Sequence, residues 1–320
     1  MFIEQGIKPE NQFWKYIVGS VLIIIASIIG QIPFGVAVMA KVIADGKPIP
    51  SETDEMMGFL EPNVSLSLIM LSFVFAIVAV FLVIKYLHKQ TIHSVTTSRK
   101  KTDWRRIFFA FGIWSLFNIV TVAIDYYATP EDYVFNFRPI PFAIMAAIAI
   151  ILIPIQTSTE EYVFRGYLMQ GFGNLAKNRW FPLVMTSVIF GGMHVFNPEV
   201  GKMGYFIMVY YIGTGFFLGI ITLMDEGMEL ALGFHAANNL IGALLVTSDW
   251  SAIQTNSVLK DISEPTAGYD VLLPVVIIFP ILLLIFSKMY RWTDWKEKLS
   301  GNITITPKPI FPDEERHSDI

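Results

Sequence analysis

Long apolar segments constrain the fold of this chain more than any other feature. A helix needs ~20 apolar residues to cross a bilayer. The sequence carries about eight segments of that kind, at 16–40, 64–86, 107–127, 139–156, 180–196, 203–223, 229–247 and 270–290. The chain is 54% hydrophobic and 16% charged, which is outside the range of ordinary soluble domains. We therefore predict an all-α polytopic membrane protein with about eight transmembrane helices, of which 180–196 is the shortest.

The distribution of basic residues predicts the orientation, because loops rich in Lys and Arg stay in the cytoplasm. The loop 87–106 has six basic residues and one acidic residue, whereas the loop 41–63 has two basic and five acidic residues. Alternation from these loops places both termini in the cytoplasm of a multi-pass protein of the cell membrane. The first apolar run is too long for a signal peptide and has no basic region before it, so it is interpreted as a membrane span.

Composition excludes several classes of function. The net charge of −4 includes no basic block large enough for nucleic acid, so no nucleic-acid partner is expected. The absence of cysteine excludes disulfides, thiolate metal sites and cysteine nucleophiles. Membrane lipid is the expected environment.

Three charged residues stand in an apolar part of the chain, at Glu160, Glu161 and Arg165. An ionisable residue at membrane depth costs ~2.5 to 3.5 kcal/mol on insertion scales and usually faces a protein interior or a watery cavity. Positions four apart share a helix face, so Glu161 can pair with Arg165 while Glu160 stays free for chemistry. Pro154 disfavours a straight helix here, and we expect 157–173 to form a separate, partly re-entrant helix.

The histidines divide into two groups. His194 lies near the end of the fifth apolar segment, four residues after Phe190, and His235 lies in the seventh, four residues before Asn239. Positions four apart lie on one helix face. The other histidines fall in polar segments and are expected to be solvated, as are the acidic residues of the turn 225–226; these histidines are His88, His93 and His317.

These motifs, in this order, resemble the CAAX-protease and bacteriocin-processing family of intramembrane endopeptidases, which includes the type II CAAX prenyl proteases and lysostaphin-resistance-like proteins. The resemblance covers 139–247, taken as a catalytic core of the fourth to seventh helices. A three-span region, 1–138, precedes this core, and 248–320 holds the last helix and a cytoplasmic tail. The catalytic residues that the resemblance implies are Glu160, His194, His235 and Asn239, and the supporting residues are Glu161, Arg165 and Phe190.

Peptide hydrolysis needs an activated water, a donor for the oxyanion and a proton for the leaving amine. Glu160 is suited to be the general base, His194 to orient the water or bind a metal, and His235 with Asn239 to donate to the oxyanion. A catalytic Zn²⁺ held by Glu160, His194 and His235 and a metal-free mechanism both fit these residues. The absence of an H-E-x-x-H sequence weakens the zinc case.

The expected function is therefore a metalloprotease-like endopeptidase that cleaves a membrane-associated peptide or protein near the cytoplasmic face. A non-catalytic membrane scaffold or regulator, or a bacteriocin self-immunity protein, of the same family is one alternative. A proton-coupled transporter is another, although no internal repeat supports it. Among substrates, bacterial peptide precursors are favoured over a prenylated CAAX peptide by family analogy alone.

Overall fold

The computed structural model describes residues 1–8, 11–46, 48–49, 56 and 58–303. Within these residues the prediction of an all-α polytopic membrane protein is confirmed. Helical runs long and apolar enough to cross a membrane are Phe13–Asp45, Pro62–Leu87, Trp104–Ala128, Pro139–Ala176, Tyr205–Asp225 and Val271–Tyr290. The other two predicted segments also form helices, at Trp180–Phe196 and Glu229–Leu245, and both are shorter than these six. His317 and the tail from 304 onward lie outside the described residues.

The helices, in chain order, are α1 (Phe13–Asp45), α2 (Pro62–Leu82), α3 (Ile92–Thr96), α4 (Trp104–Ala128), α5 (Pro139–Glu161), α6 (Met169–Ala176), α7 (Trp180–Met193), α8 (Pro198–Met203), α9 (Met208–Asp225), α10 (Glu229–Leu245), α11 (Tyr269–Leu273), α12 (Phe279–Tyr290) and α13 (Trp295–Ser300). Turns of π-helix are Val83–Leu87, Tyr162–Leu168 and Pro274–Ile278. Turns of 3₁₀-helix are Ile3–Gly6, Pro130–Asp132, His194–Phe196 and Tyr205–Ile207.

Side-chain caps define where several spans begin. The Glu61 carboxylate accepts hydrogen bonds from two backbone N–H groups in the first turn of α2, which has Pro62 at its first position. The Asp103 carboxylate does the same for the Arg105 N–H at the start of α4. Such caps satisfy N–H groups that have no partner within the helix.

The expected separate helix at 157–173 is wrong. The chain runs as one helical stretch from Pro139 to Ala176, and Pro154 lies inside α5. A proline can be accommodated in a membrane helix when its neighbours satisfy the freed backbone groups. The irregularity comes later, as the π-helical turn Tyr162–Leu168, which begins directly after Glu161. The acidic pair thus lies in the last α-helical turn before this change of winding.

Helix packing places α5 between α2 and α10, and α10 also packs along α4, while α9 packs on α7. Glycines allow close approaches: a Cβ at Gly233 of α10 would lie 2.0 Å from the Ile107 carbonyl oxygen of α4. A Cβ at Gly215 of α9 would lie 2.7 Å from the Ser187 carbonyl oxygen of α7. Small residues at such positions let membrane helices pack closely.

A small sheet joins the connections at one end of the bundle. Its strands are β1 (Tyr133–Phe135), β2 (Val246–Ser248) and β3 (Leu259–Asp261), in the order β1-β3-β2. Strand β3 pairs antiparallel with β1, where Val134 faces Lys260, and parallel with β2, where Thr247 faces Lys260. The sheet thereby ties the chain that enters α5 to the chain that leaves α10.

Two polar residues expected to be solvated are buried. His88 is 1% exposed, and its ring nitrogens contact Asn11 Oδ1 at 3.1 Å and the Tyr167 hydroxyl at 3.0 Å. Burial, with a smaller contribution from Lys15, lowers the pKa of His88 to about 4. Asp225 is 4% exposed. The predictions failed because the N-terminal segment and the loop before α4 fold over these positions. His93 is half-buried, and its Nε2 lies 2.6 Å from the Arg99 carbonyl oxygen.

Candidate active site

A buried ion pair fixes one side of the site. Arg165 Nη1 donates to Glu161 Oε1 at 2.9 Å, and both side chains are fully buried, so the predicted pairing is confirmed. Arg165 Nη2 donates to the Gly215 carbonyl oxygen at 3.2 Å, which ties the pair to α9. The Arg165 guanidinium carbon also lies 4.3 Å from the centre of the Phe190 ring. Such a cation–π contact stabilises a charge that has left water.

His235 lies between the two carboxylates. Its Nδ1 is 2.7 Å from Glu161 Oε1, and its Nε2 is 3.6 Å from Glu160 Oε2. Glu161 is acceptor-only when ionised, so Nδ1 carries the proton and donates. This contact sets the tautomer and the orientation of the ring, as a carboxylate does for a histidine that acts through its other nitrogen. His235 therefore presents Nε2 to Glu160.

Glu160 keeps one oxygen free. Gln156, one turn earlier on α5, donates from Nε2 to Glu160 Oε1. Glu160 Oε2 is buried and has no hydrogen-bond partner among the described residues. Glu161 Oε2 is also buried without a partner among the described residues, so the feature that distinguishes Glu160 is that its free oxygen faces His235 Nε2 at 3.6 Å. The expectation that Glu161 binds Arg165 while Glu160 stays outside that pair therefore agrees with the geometry.

Asn239 belongs to a hydrogen-bonded chain that ends at Glu160. Its Nδ2 donates to Gln156 Oε1 at 3.0 Å, and its Oδ1 accepts from Asn238 Nδ2 at 3.0 Å. Asn238 Oδ1 in turn accepts from the indole N–H of Trp114 at 3.0 Å. Sequence reasoning did not single out Gln156 or Trp114. A spacing of four residues before Glu160 could have indicated Gln156, whereas no local signal points to Trp114.

Phe190 separates the two histidines of the site. Its ring centre is 5.0 Å from that of His194 and 5.9 Å from that of His235. His194 begins the 3₁₀ turn after α7, where its Nδ1 donates to the Phe190 carbonyl oxygen at 2.9 Å. Its ring stacks on Tyr211 with the centres 4.4 Å apart. Nε2 of the neutral ring is left as an acceptor. Among the described residues, His194 has no hydrogen bond to Glu160, His235 or Asn239.

Comparison with known proteins assigns the family. The model for the type II CAAX prenyl endopeptidase Rce1-like family matches residues 139–241. The chain is 33% identical to the uncharacterized protein YyaK of Bacillus subtilis (strain 168) over an alignment of 242 residues. This alignment covers 75% of this chain and 80% of YyaK. This chain belongs to the Rce1-like family. No solved structure matches it.

In this Rce1-like protein, the segment matched by the family model contains every predicted site residue, from Glu160 to Asn239. It also contains Gln156 and Asn238, whereas Trp114 lies outside it. Rce1-like proteins form a protease family, so membership supports a peptidase in a multi-pass membrane protein. The domain boundaries and the roles of the individual residues stay predictions.

The described residues do not form a metal-holding group: they include no cluster of three or more His, Asp or Glu side chains placed to bind an ion. His194 contacts the rest of the site through Phe190, while Glu160 and His235 adjoin each other directly. Ligation of zinc by Glu160, His194 and His235 stays a prediction.

A further acidic residue lies beside His194. Glu199, in the short helix α8, accepts a hydrogen bond on Oε1 from the Ala252 N–H at 2.8 Å. Its Oε2 is buried without a hydrogen-bond partner among the described residues. Burial raises the pKa of Glu199, and His194 opposes this rise. No local pattern singles out Glu199, because it lies in a polar turn between spans.

Proposed function

We propose that this Rce1-like protein is an intramembrane endopeptidase in which Glu160 activates a water molecule. The observation that supports this most is the position of Glu160 Oε2, a buried oxygen without a donor among the described residues, 3.6 Å from His235 Nε2. A carboxylate held in a protected site next to an oriented imidazole is a suitable arrangement for general base catalysis.

The proposed reaction conserves atoms and protons. Water donates a hydrogen bond to Glu160 Oε2 and attacks the peptide carbonyl carbon, and its proton moves to Glu160. The carbonyl oxygen becomes an oxyanion, and in this proposal an amide N–H of Asn239 stabilises it together with His235, whose Nε2 donates only when both ring nitrogens carry a proton. Glu160 then gives its proton to the leaving amine as the carbon–nitrogen bond breaks. Removing one oxyanion donor typically costs about 2.7 to 4 kcal/mol of barrier.

The other site residues position the His235 ring and the attacking water. Glu161 and Arg165 hold the His235 ring, because Glu161 accepts from both side chains. Phe190 covers the guanidinium of Arg165 and packs against both histidines. His194, with Nδ1 donating to the backbone, offers Nε2 to orient the water. In this proposal Glu161 is a positioning residue and Glu160 is the base.

The proposed substrate is a membrane-associated peptide or protein that enters near the cytoplasmic face of the cell membrane. The basic loop 87–106 supports cytoplasmic termini. The chain has no cysteine, so single cysteines can report topology directly. A cysteine placed at Lys101 should be protected from a membrane-impermeant thiol reagent in intact cells, whereas one placed at Glu131 should react. The reverse pattern would contradict the orientation.

The test of the function is cleavage of a fluorogenic and cell-extract peptide library by purified protein in detergent, with products identified by mass spectrometry. Glu160→Gln removes the base and keeps the side chain's shape. Glu131→Gln is the matched control, because Glu131 is exposed in the turn before β1. We expect wild type and control to cut and Glu160→Gln to fail with unchanged helicity and melting. Zinc measured on the same samples decides the metal question. Absence of cleavage by the wild type would support the non-catalytic scaffold instead.

A further inference from the structure

Four side chains form a chain of hydrogen bonds that leads from α4 to Glu160. The four hydrogen bonds, each written from donor to acceptor, are Trp114 Nε1 to Asn238 Oδ1, Asn238 Nδ2 to Asn239 Oδ1, Asn239 Nδ2 to Gln156 Oε1, and Gln156 Nε2 to Glu160 Oε1. The chain connects α4, α10 and α5, which the packing of the bundle brings together. It ends on one oxygen of the proposed base.

The direction of this chain is determined at its ends. An indole N–H is a donor only, so the group of Asn238 that faces Trp114 must be its oxygen. The Asn238 amide nitrogen is then left to donate to Asn239, and the same reasoning passes through Asn239 to Gln156. An ionised carboxylate accepts only, so Glu160 suits the last position. Reversing any amide would place two donors or two acceptors against each other.

The far end of the chain is anchored by packing. Trp114 is 2% exposed, and its ring lies 4.7 Å from Phe117 and 4.4 Å from Phe234, between ring centres. Gln156 is 4% exposed. Side chains held in this way have few alternative rotamers, and buried networks with every link made are rigid. The Gln156 amide is thus held in place before any substrate binds.

We propose that Gln156 is a positioning residue that fixes the orientation of the Glu160 carboxylate, and that Trp114 and Asn238 hold Gln156 in that role. The donor on Oε1 leaves Oε2 as the oxygen that faces His235 Nε2 at 3.6 Å. Without the donor, the carboxylate can rotate about its last bond into orientations in which neither oxygen is directed at His235 Nε2. This inference rests on the proposed function of Glu160.

The first test replaces Gln156 with methionine, which has a similar length and no donor. A displacement of about 1 Å at a reacting group can lower the rate about 100-fold. We expect Gln156→Met to lower kcat by about 10- to 100-fold on the best library peptide, with KM changed less than twofold. Loss confined to KM, or kcat within twofold of wild type, would overturn the proposal.

Gln170→Met is the matched control. Gln170 is fully buried on the same helical run and donates to the carbonyl oxygens of Phe2 and Ser94, so its replacement also removes buried hydrogen bonds. Among the described residues, Gln170 makes no hydrogen bond to Glu160 or to the side chains of the network that ends at Glu160. We expect it to lower the melting temperature and leave kcat within twofold. An equal loss of kcat in both variants would show a general packing effect and overturn the positioning role.

Trp114→Phe tests the chain from its other end and serves if Gln156→Met does not fold. It removes the shorter of two hydrogen bonds to Asn238 Oδ1, at 3.0 Å, and leaves the one from the Tyr210 hydroxyl at 3.5 Å, so we expect kcat to fall about 3- to 10-fold. In combination with Gln156→Met it should cause no further loss of kcat, because the first substitution has already interrupted the chain of hydrogen bonds. The effects of residues that act as a unit are not additive. Unchanged kcat in Trp114→Phe, or additive losses in the double variant, would contradict a shared chain. Glu160→Gln is assayed in parallel: if it stays active, the proposed function fails, whereas if only Gln156→Met stays active, the positioning role alone fails.

Discussion

Replacing Arg165 with methionine is expected to cost about 3 to 5 kcal/mol of unfolding free energy. The magnitude follows from burial: Arg165 and Glu161 are both fully buried and 2.9 Å apart, so the variant leaves the Glu161 carboxylate without its cation. An exposed pair of the same spacing contributes only about 0 to 1 kcal/mol. His235 still donates to Glu161 Oε1, which places the expected cost near the lower end of the range.

The chain supplies a matched exposed pair. Lys41 and Asp45 are also four residues apart and 2.9 Å from each other, with the Lys41 side chain 48% exposed. Lys41→Met should therefore cost less than about 1 kcal/mol. Reversible unfolding in mixed micelles, followed by circular dichroism, gives both values. An Arg165→Met loss no larger than that of Lys41→Met would refute the reasoning from burial.

The double variant Glu161→Gln/Arg165→Met separates stability from activity. Replacing a buried ion pair by neutral groups of similar volume is often neutral or stabilising. We expect the double variant to recover most of the lost stability, because no unpaired charge remains. Activity should stay low, because His235 Nδ1 has lost its carboxylate acceptor. Recovery of activity with stability would show that Glu161 serves the fold alone.

Two other predictions concern pH and packing. The pKa of His88 is lowered to about 4 from an ordinary value of 6.5. Between these two pH values the unfolded chain binds more protons than the folded protein, so the free energy of unfolding falls on acidification. Acidification from pH 7 to 5 should cost at most about 2 kcal/mol at this group, and His88→Gln should flatten the dependence of unfolding on pH; the same dependence in both proteins would contradict this origin. Gly233→Ala should destabilise by about 1 to 3 kcal/mol, because the new Cβ meets the Ile107 carbonyl oxygen. Gly242→Ala is the control, since its added Cβ meets no atom within 4 Å apart from its chain neighbours and the backbone of its own helix; equal melting temperatures for the two variants would contradict the predicted clash.

Local sequence signals were sufficient for the helices and for the ion pair of the site. Apolar length predicts each span because lipid forces the backbone to satisfy its own hydrogen bonds. The spacing of four residues predicts the Glu161–Arg165 contact, since it depends on one helix only. The resemblance to known proteases also predicted Glu160, His194 and His235 as site residues, and comparison with known proteins confirmed the family.

Long-range contacts could not be predicted in this way. The burial of His88 depends on Asn11 and Tyr167, which lie 77 and 79 residues away in sequence. Trp114 reaches Asn238 across 124 residues, so no periodicity relates the two. The continuation of α5 through Pro154 was missed because a proline rule derived for isolated helices ignores what neighbouring helices supply.

The most direct measurement is the ratio of kcat between wild type and Glu160→Gln on one identified peptide, with Glu131→Gln as the reference. A positioned general base contributes typically 10²- to 10⁴-fold. The account predicts a ratio in that range, with an unchanged melting curve and a Glu131→Gln value within twofold of wild type. A Glu160→Gln enzyme that cuts the same bond within twofold of the wild-type rate would contradict the assignment of Glu160 as the base.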